Sequence, residues 1–171
     1  MNKTARATSR LMQELVAIAE KIAARLIERR QTIAVAESST GGLISASLLA
    51  VPGASAYFLG GGVIYTRDAR RILMDIPDEA MKGIRSASEP YATLLASQIR
   101  NRFATDWGLS ETGATGPTGN SYGDAAGHSC MAVAGAEPSV MTLETGSSDR
   151  RANMQLFANT ALNLLLRNLS R

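Results

Sequence analysis

Apolar and polar positions follow two different periods along the chain, and the changes of period mark the predicted elements. Apolar residues recur at helical spacing over residues 11–30, which predicts a long amphipathic helix. The next run, residues 32–36, is short, apolar and partly β-branched, which is typical of a strand buried on both faces. The pattern breaks at residues 37–42, and helical spacing returns over residues 43–50. The N-terminal third is therefore predicted to be helix, strand, turn and helix.

The rest of the chain continues this alternation. Further strands are predicted at residues 62–65, 109–112, 127–134 and 139–144, and further helices at 67–74, at 77–83, from 88 to about 107, and at 150–169. Thr66, Ser88 and Asp149 are the predicted N-caps, and Gly108 is predicted to end the helix that starts at residue 88. Its expected inward residues are Leu94, Leu95, Ile99 and Phe103, and those of the last helix are Leu156, Ala158, Leu162, Leu165 and Leu166.

This order of elements predicts an α/β fold, a three-layer α/β/α sandwich. The sheet should be mixed, because residues 127–144 form a hairpin that adds an antiparallel strand. Residues 1–10 are polar and are expected to be a flexible N-terminus, with a single domain over residues 11–171. Gly60, Gly61 and Gly62 are poor strand formers, so they suggest a bend, a bulge or a close backbone approach, which could be to the turn that contains Ser38.

The most informative segment is the turn between the first strand and the second helix, Glu37-Ser38-Ser39-Thr40-Gly41-Gly42. Ligands of open α/β sheets bind beyond the carboxyl ends of strands, and free N–H groups at a helix start favour anions. Ser and Thr are also ordinary N-caps and Gly is common in turns, so a turn without a ligand fits these residues equally well. No Gly-Lys-Ser/Thr follows, so the segment is not a Walker phosphate-binding loop.

A second glycine-rich loop, residues 113–120, follows the next predicted strand. If the two strands are parallel, both loops open on one edge of the sheet, together with the segment that starts at Tyr65. The side chains expected to converge there are those of Ser38, Ser39, Thr40, Tyr65, Thr66, Arg70, Thr115 and Thr118. Hydroxyls, backbone amides and a guanidinium suit a phosphorylated or otherwise anionic ligand.

Composition removes several classes of function. A net charge of +3 without a clustered basic face, and only 5% aromatic residues, disfavour nucleic acid as a partner. No apolar stretch is long enough to span a membrane, and no signal peptide is visible. One cysteine forms no intrachain disulfide, so the cytoplasm is the expected compartment. Metal-binding motifs are lacking, so no metal and no other cofactor is expected.

A serine nucleophile needs a base, and His128 is the sole histidine. A Ser38–His128–Asp124 triad is conceivable but has no characteristic spacing. Since His128 falls inside a predicted strand, a structural histidine is favoured. Cys130 lies on the same face of that strand and is expected to be a small core residue.

Several segments, in this order, resemble the C-terminal domain of the competence/damage-inducible protein CinA, whose stand-alone form is nicotinamide-nucleotide amidase. The matching segments are residues 36–42, 51–58, 62–66, 86–90, 112–117 and 133–135. The resemblance spans about residues 11–168. It implies a three-layer α/β/α sandwich with a five-stranded mixed sheet, self-association into a homo-oligomer, and hydrolysis of nicotinamide mononucleotide to nicotinic acid mononucleotide and ammonia.

The resemblance also implies roles for individual residues. Ser38 matches the family's nucleophile and Tyr65 its active-site tyrosine, and Arg70 stands where the family has a lysine thought to assist the serine. The residues expected to contact the nucleotide-like substrate are Ser39, Thr40, Gly41, Gly42, Thr66, Thr115 and Gly116. Backbone N–H groups of residues 39–41 are expected to hold the oxyanion.

Further departures from the family cluster at the same place. Asp124-Ala125-Ala126-Gly127 replaces Lys-Pro-Val-Gly, and Met154 stands at the position of a second arginine on the last helix. An arginine does not serve as a base at ordinary pH. The alternative to an amidase is therefore a catalytically impaired relative that binds a nucleotide or phosphorylated ligand. A third possibility is a structural or oligomerising domain without a small ligand.

Overall fold

The computed structural model describes residues 3–171, and the side chains of residues 12–171. These residues form five α-helices and one mixed sheet of five strands. The strands are β1 (Ile33–Glu37), β2 (Phe58–Val63), β3 (Trp107–Ala114), β4 (His128–Ala134) and β5 (Ser139–Glu144). The helices are α1 (Lys3–Arg29), α2 (Leu43–Leu49), α3 (Arg67–Met74), α4 (Glu89–Phe103) and α5 (Arg150–Asn168). The predicted start of the first helix at residue 11 is too late, because α1 begins at Lys3. The flexibility expected of residues 1–10 and the single domain over 11–171 stay predictions.

The strand order is β2-β1-β3-β4-β5, and β1 is parallel to both of its neighbours. β4 is antiparallel to β3 on one side and to β5 on the other, and β4 and β5 form the predicted hairpin. Three parallel strands therefore end on the same edge of the sheet, where Glu37 pairs with Val63 and β3 ends at Ala114. The segments after β1, β2 and β3 meet at that edge, which confirms the predicted mixed α/β fold.

The sheet is the middle layer of three. Helices α1, α2 and α5 pack on one face, and α4, with α3 beside it, packs on the other. β1 is buried along its whole length because its side chains alternate between the two layers. Ile33 and Val35 join the larger core with α1 and α5, while Ala34 and Ala36 face α4. The small alanines give α4 room to lie close to the strand.

The three consecutive glycines lie within β2 rather than in a bend before it, so the predicted strand at residues 62–65 begins too late. The pairing shifts register between Ile33 and Ala34, opposite Phe58 and Gly60, so the irregularity expected as a bulge lies at the start of the glycine run. A Cβ on Gly60 would collide with the ring of Phe103, and one on Gly61 would lie 2.9 Å from Ser45 Oγ and from the Val35 carbonyl oxygen. The close approach is therefore to the end of α4 and to α2 and β1, and not to the turn that contains Ser38. β2 is an edge strand, which tolerates glycine better than a central strand does.

The helix predicted from residue 88 to about 107 was also placed wrongly at its end. α4 ends at Phe103 because Ala104 adopts a left-handed conformation (φ 51°) and its N–H donates to carbonyls of the last turn. Trp107 and Gly108 belong to β3 instead, and the Trp107 N–H donates to the Thr32 carbonyl at 3.0 Å. A Cβ on Gly108 would run into the Ala96 carbonyl oxygen, so this glycine permits close packing between strand and helix.

The predicted N-caps are confirmed. Thr66 accepts from the Ala69 N–H, Ser88 from that of Tyr91, and Asp149 from two N–H groups of the first turn of α5. Two of the predicted core residues are wrong: Leu156 is 45% exposed and Phe103 is 38% exposed. On α5 the core position is taken by Phe157, which is fully buried. Within the described residues, no helix has both the length and the apolar character needed to cross a membrane.

Candidate functional site

The turn that carries Ser38 is held by a buried carboxylate at the end of β1. Glu37 is fully buried, and its carboxylate accepts hydrogen bonds from the backbone N–H groups of Gly42 and Ile44 at 3.0 Å and of Ser45 at 2.7 Å. These are the N–H groups at the start of α2 that were expected to be free for an anion. The expectation is wrong because the chain supplies its own anion, and α2 offers no open N-terminus to a ligand.

A second buried carboxylate, Glu111 of β3, holds the same turn from below. It accepts from the Thr40 N–H at 2.9 Å, the Ser39 hydroxyl at 2.5 Å, the Ser129 hydroxyl at 2.9 Å and the Ser38 N–H at 3.3 Å. Burial raises the pKa of Glu111, and the hydrogen bonds from these groups oppose that rise. Ser39 and Thr40 are thus bound inward, where they fix the shape of the turn.

Ser38 is the hydroxyl of the turn that is left for chemistry. It is half-buried, and within the described part of the chain its hydroxyl has no hydrogen-bond partner, unlike those of Ser39 and Thr40. Ser38 lines a cavity of about 300 Å³ at the edge where the parallel strands end. The other residues that line this cavity are Ile64, Tyr65, Thr66, Arg67, Arg70, Ser86, Ala87, Tyr91, Thr112, Gly113, Asn120 and Tyr122. A volume of this size suits a small ligand.

The structure divides the predicted site residues into three groups. Ser38, Tyr65, Thr66 and Arg70 line the cavity together. Ser39, Thr115 and Gly116 line a neighbouring cavity of about 210 Å³. Tyr65, Gly113 and Asn120 line both cavities. Thr40, Gly41 and Gly42 line neither.

The glycines serve the turn itself, since their φ angles are 64° and 102° and only glycine adopts such angles readily. The Gly41 N–H donates to the Ser38 carbonyl at 3.2 Å, and the Thr40 N–H is taken by Glu111. The prediction that backbone N–H groups of residues 39–41 hold an oxyanion is therefore wrong for Thr40 and Gly41.

Tyr65 stands at the rim between the two cavities and is 60% exposed. Its hydroxyl accepts from Arg150 Nη2 at 3.2 Å, and Arg150 Nη1 donates to the Gly116 carbonyl at 2.8 Å. Arg150 therefore links the segment after β2 to the loop after β3. Sequence reasoning missed this arginine as a site residue, although its place at the start of α5 was predicted.

Positive charge borders the Ser38 cavity on the α3 side. Arg70 is buried, with 4% exposure, and pairs with Asp78, while its Nε has no hydrogen-bond partner among the described residues. Arg67 is exposed and lines the same cavity. The start of α3, rather than that of α2, lies at this cavity, since Thr66 and Arg67 line it. These features together favour an anionic group in the cavity.

A compact loop closes the opposite side of the cavity. Asp124 accepts from Arg85 Nη1 at 2.5 Å and Nη2 at 2.8 Å, and from the Asn120 side-chain amide at 2.8 Å. Burial opposes ionisation of Asp124, but hydrogen bonds from Arg85 and Asn120 outweigh it and lower the pKa of this carboxyl. Asn120 and Tyr122 of this loop line the cavity, and sequence reasoning had selected neither.

His128 lies outside the cavity, and the conceivable triad does not form. Its Nε2 lies 2.8 Å from the Ala87 carbonyl oxygen, and its Nδ1 pairs with Glu144. Asp124 Oδ1 is 3.7 Å from Nε2, but both ring nitrogens already have acceptors other than Ser38. Burial lowers the pKa of His128, and hydrogen bonding to Glu144 and to the Ala87 carbonyl outweighs that effect and raises it. The structural interpretation of His128 holds, and Cys130 beside it is buried.

No group of three or more His, Cys, Asp or Glu residues within the described part of the chain is arranged to hold a metal ion.

The protein is therefore an α/β/α domain with a mixed sheet, in which a serine turn and an arginine-lined cavity lie at the edge where the parallel strands end. The family model described as the CinA C-terminal domain matches residues 15–169 of this chain. The chain belongs to the CinA C-terminal domain family.

Relatives and solved structures agree with this assignment. The chain is 41% identical over 118 residues to a CinA-like protein of Gloeobacter violaceus, covering 69% of the chain and 28% of the relative. It is 37% identical over 155 residues to a CinA-like protein of Parasynechococcus marenigrum, covering 89% of the chain and 37% of the relative. The chain thus spans about a quarter to a third of the length of such curated relatives.

Among solved structures, the CinA superfamily protein of Enterobacter cloacae matches with a TM-score of 0.84 at 26% identity, covering 91% of this chain and 92% of that one. The competence/damage-inducible protein of Agrobacterium tumefaciens matches with a TM-score of 0.82 at 26% identity, covering 92% and 96%. Both carry the same fold over nearly the whole chain.

Proposed function

We propose that the protein is an amide hydrolase of the nicotinamide-nucleotide amidase type, with Ser38 as its nucleophile. The observation that carries the proposal is that Ser38, whose hydroxyl has no partner among the described residues, and the buried Arg70 guanidinium line one small cavity. A nucleophile and a positive charge in one cavity suit a substrate that has both an amide and a phosphate. Membership in the CinA family makes nicotinamide mononucleotide the first substrate to test.

The residues take distinct roles in this proposal. The Ser38 oxygen attacks the carboxamide carbon, and ammonia leaves to give an acyl-enzyme that water hydrolyses. Arg67 and Arg70 bind the phosphate or stabilise the oxyanion, since a guanidinium remains charged. Tyr65, held by Arg150, positions the substrate at the rim. Glu37 and Glu111 act through the backbone of the turn and do not contact the substrate.

Ammonia release tests this function directly. Incubation with nicotinamide mononucleotide should release ammonia and form nicotinic acid mononucleotide, and Ser38→Ala should reduce the rate by at least about 1,000-fold because it removes the nucleophile. Ser55→Ala, at an exposed serine outside the cavity, is the matched control and should retain the full rate. An unchanged rate in Ser38→Ala contradicts the role of Ser38.

The alternative function is binding of a nucleotide or phosphorylated ligand without hydrolysis. It is favoured by the ion pair between Arg70 and Asp78, which holds a permanent cation at the position of the family's lysine. Calorimetry that detects binding of nicotinamide mononucleotide, with no ammonia released by the same preparation, supports this alternative. Arg70→Lys is then the variant in which hydrolysis is expected to reappear.

We also propose that the protein acts as a homo-oligomer in the cytoplasm, as the resemblance to the family and the cysteine content suggest. Light scattering on the purified chain measures the oligomeric state, and a monomer at micromolar concentration contradicts this part of the proposal.

A further inference from the structure

The chemistry proposed for Ser38 lacks a base, because the family's lysine is replaced by Arg70. Five titratable residues of the described structure line the Ser38 cavity: Tyr65, Arg67, Arg70, Tyr91 and Tyr122. The two arginines remain protonated at any pH at which the protein works. Glu111 and His128 are not among the lining residues, and each is bound to other partners. The choice therefore lies among three tyrosines.

Two of the three tyrosines are poorly suited to accept a proton. Tyr91 is buried, with 4% exposure, and that burial raises its pKa to about 12. Tyr65 stands at the rim, mostly exposed, with its hydroxyl bound by Arg150. Tyr65 therefore has one cation beside it, at the exposed rim, and the charge of Arg70 lowers the pKa of Tyr91 less than burial raises it.

Tyr122 differs from both in its surroundings. It lines the Ser38 cavity and also a second cavity of about 400 Å³, whose charged walls are Arg67, Arg70, Arg85 and Asp78. Asp78 pairs with Arg70 and Asp124 pairs with Arg85, so Arg67 is the main cation beside the phenol. Hydrogen bonding to Ser86 and Arg67, together with the charges of Arg67 and Arg70, lowers the pKa of Tyr122. Cations beside a phenol stabilise the phenolate, which is a competent base.

The loop that carries Tyr122 is built to keep it there. The Tyr122 N–H and the Asp124 N–H both donate to the Asn120 side-chain oxygen, at 3.0 and 3.1 Å. The Asn120 N–H donates to the Asp124 carbonyl at 3.0 Å, and the Asp124 carboxylate is fixed by Arg85. These bonds fix the backbone of the turn, and so keep Tyr122 beside the cavity.

We propose that Tyr122 is the catalytic proton acceptor and donor for Ser38, in place of the family's lysine. The proposal rests on the amidase function above. The Tyr122 phenolate takes the Ser38 proton, directly or through one water, as the Ser38 oxygen bonds to the carboxamide carbon. The phenol then gives that proton to the amide nitrogen as the C–N bond breaks and ammonia leaves. In the second half, the phenolate takes a proton from the attacking water, and the acid is released as Ser38 regains its proton.

The ionisation of Tyr122 is testable without any substrate. The chain has four tyrosines, at positions 57, 65, 91 and 122. Ultraviolet difference titration of tyrosinate in the wild type should show one group that ionises below pH 10. Tyr122→Phe should remove that transition, and Tyr65→Phe should retain it. A wild-type titration with no early transition, or one that survives in Tyr122→Phe, overturns the proposal.

The role in activating Ser38 is tested with a fluorophosphonate probe, in which the serine oxygen bonds to phosphorus, fluoride leaves and the serine proton goes to the base. Mass spectrometry should find the label on Ser38, at a rate that rises with pH through the early tyrosinate transition. Tyr122→Phe should slow labelling by about 100-fold and remove the pH dependence. Unchanged labelling in this variant overturns the proposal. Because Tyr122 is 41% exposed on a loop, the variant is expected to fold, and its melting temperature checks this.

Arg67→Gln tests whether Tyr122 acts as the base or only supports the wall of the cavity, because it leaves the phenol in place and removes a cation beside it. The pH at which the labelling rate rises should be higher in Arg67→Gln. It should be unchanged in Arg29→Gln, because Arg29 is exposed at the end of α1, away from the cavity. If the pH at which the labelling rate rises is the same in Arg67→Gln as in the wild type, Tyr122 is not the base.

The two hypotheses also fail differently. Labelling that depends on Tyr122, without release of ammonia from any amide, removes the amidase and keeps Tyr122 as the base. Ammonia release that is unaffected by Tyr122→Phe removes Tyr122 as the base and keeps the amidase. No labelling of wild-type Ser38 overturns the role of Tyr122.

Discussion

At the scale of single residues, the site depends on two carboxylates that take no part in the proposed chemistry. Glu37 and Glu111 are both fully buried, and together they accept the hydrogen bonds that shape the Ser38 turn. A buried carboxylate is stabilising only when donors surround it, and here backbone N–H groups and hydroxyls supply them. The result is that Ser38 alone among the three hydroxyls of the turn is free to react.

Glu111→Gln should lower the free energy of unfolding by about 1–3 kcal/mol, because an amide NH₂ would face the donors that Glu111 now accepts from. Urea unfolding measures the loss. The matched control is Glu79→Gln, at an exposed position, and it should change stability little. Equal stability of the Glu111 variant and the wild type would show that the carboxylate is not needed.

His128 gives a prediction on pH. Both of its ring nitrogens face acceptors, Ala87 O and Glu144, so the doubly protonated ring satisfies both. Its folded-state pKa is raised, so its contribution to stability is complete below the unfolded value of about 6.5 and is lost as pH rises through the folded value. The difference in unfolding free energy between wild type and His128→Gln should therefore be largest in acid and shrink above neutral pH. A difference that is constant with pH contradicts the protonated state.

At the scale of elements, glycines decide how closely helices approach strands. Gly60 and Gly108 both lie in strands without a positive φ, and a Cβ on either would collide with a neighbour. At Gly60 that neighbour is the half-exposed ring of Phe103, which can turn away. At Gly108 it is the Ala96 carbonyl of the α4 backbone, which cannot move without shifting the helix.

Gly108→Ala should therefore lose about 1–3 kcal/mol of unfolding free energy, as overpacking does. Gly60→Ala is its matched control and should lose clearly less. Denaturant midpoints of the two variants give the comparison, and a larger loss at Gly60 would show that the Phe103 ring is more firmly held than its exposure suggests.

At the scale of the whole molecule, the segment between β2 and α4 places positive charge at the edge where the parallel strands end. Arg67, Arg70 and Arg85 border the Ser38 cavity or the one beside it, while the net charge of the chain is only +3. Charge that is concentrated in clefts attracts anions more than the net charge suggests. The phosphate of a nucleotide should therefore contribute to its binding.

Nicotinamide mononucleotide should raise the melting temperature more than nicotinamide riboside, which lacks the phosphate, since ligands stabilise the folded state in proportion to their affinity. Added sodium chloride should reduce the difference by screening. Equal shifts for the two ligands would mean that the arginines do not bind the phosphate.

The sequence by itself determined the fold class, the order of the elements, their N-caps and the family, because periodicity, capping residues and motifs are local properties. It also selected Ser38, Tyr65, Thr66 and Arg70, which the structure brings to one cavity. It misplaced the ends of α4 and β2, since apolar residues of α4 and β3 adjoin without a break in pattern and the glycines of β2 look unlike a strand.

Only the tertiary structure decided which polar groups of the site already have hydrogen-bond partners within the protein. The N–H groups at the start of α2 are taken by Glu37, and those of the turn by Glu111, which is 71 residues away along the chain from Thr40. In the same way Tyr122 acquires its cationic surroundings from α3. Such pairings depend on distances across the sheet edge, and residue spacing along the chain carries no information on them.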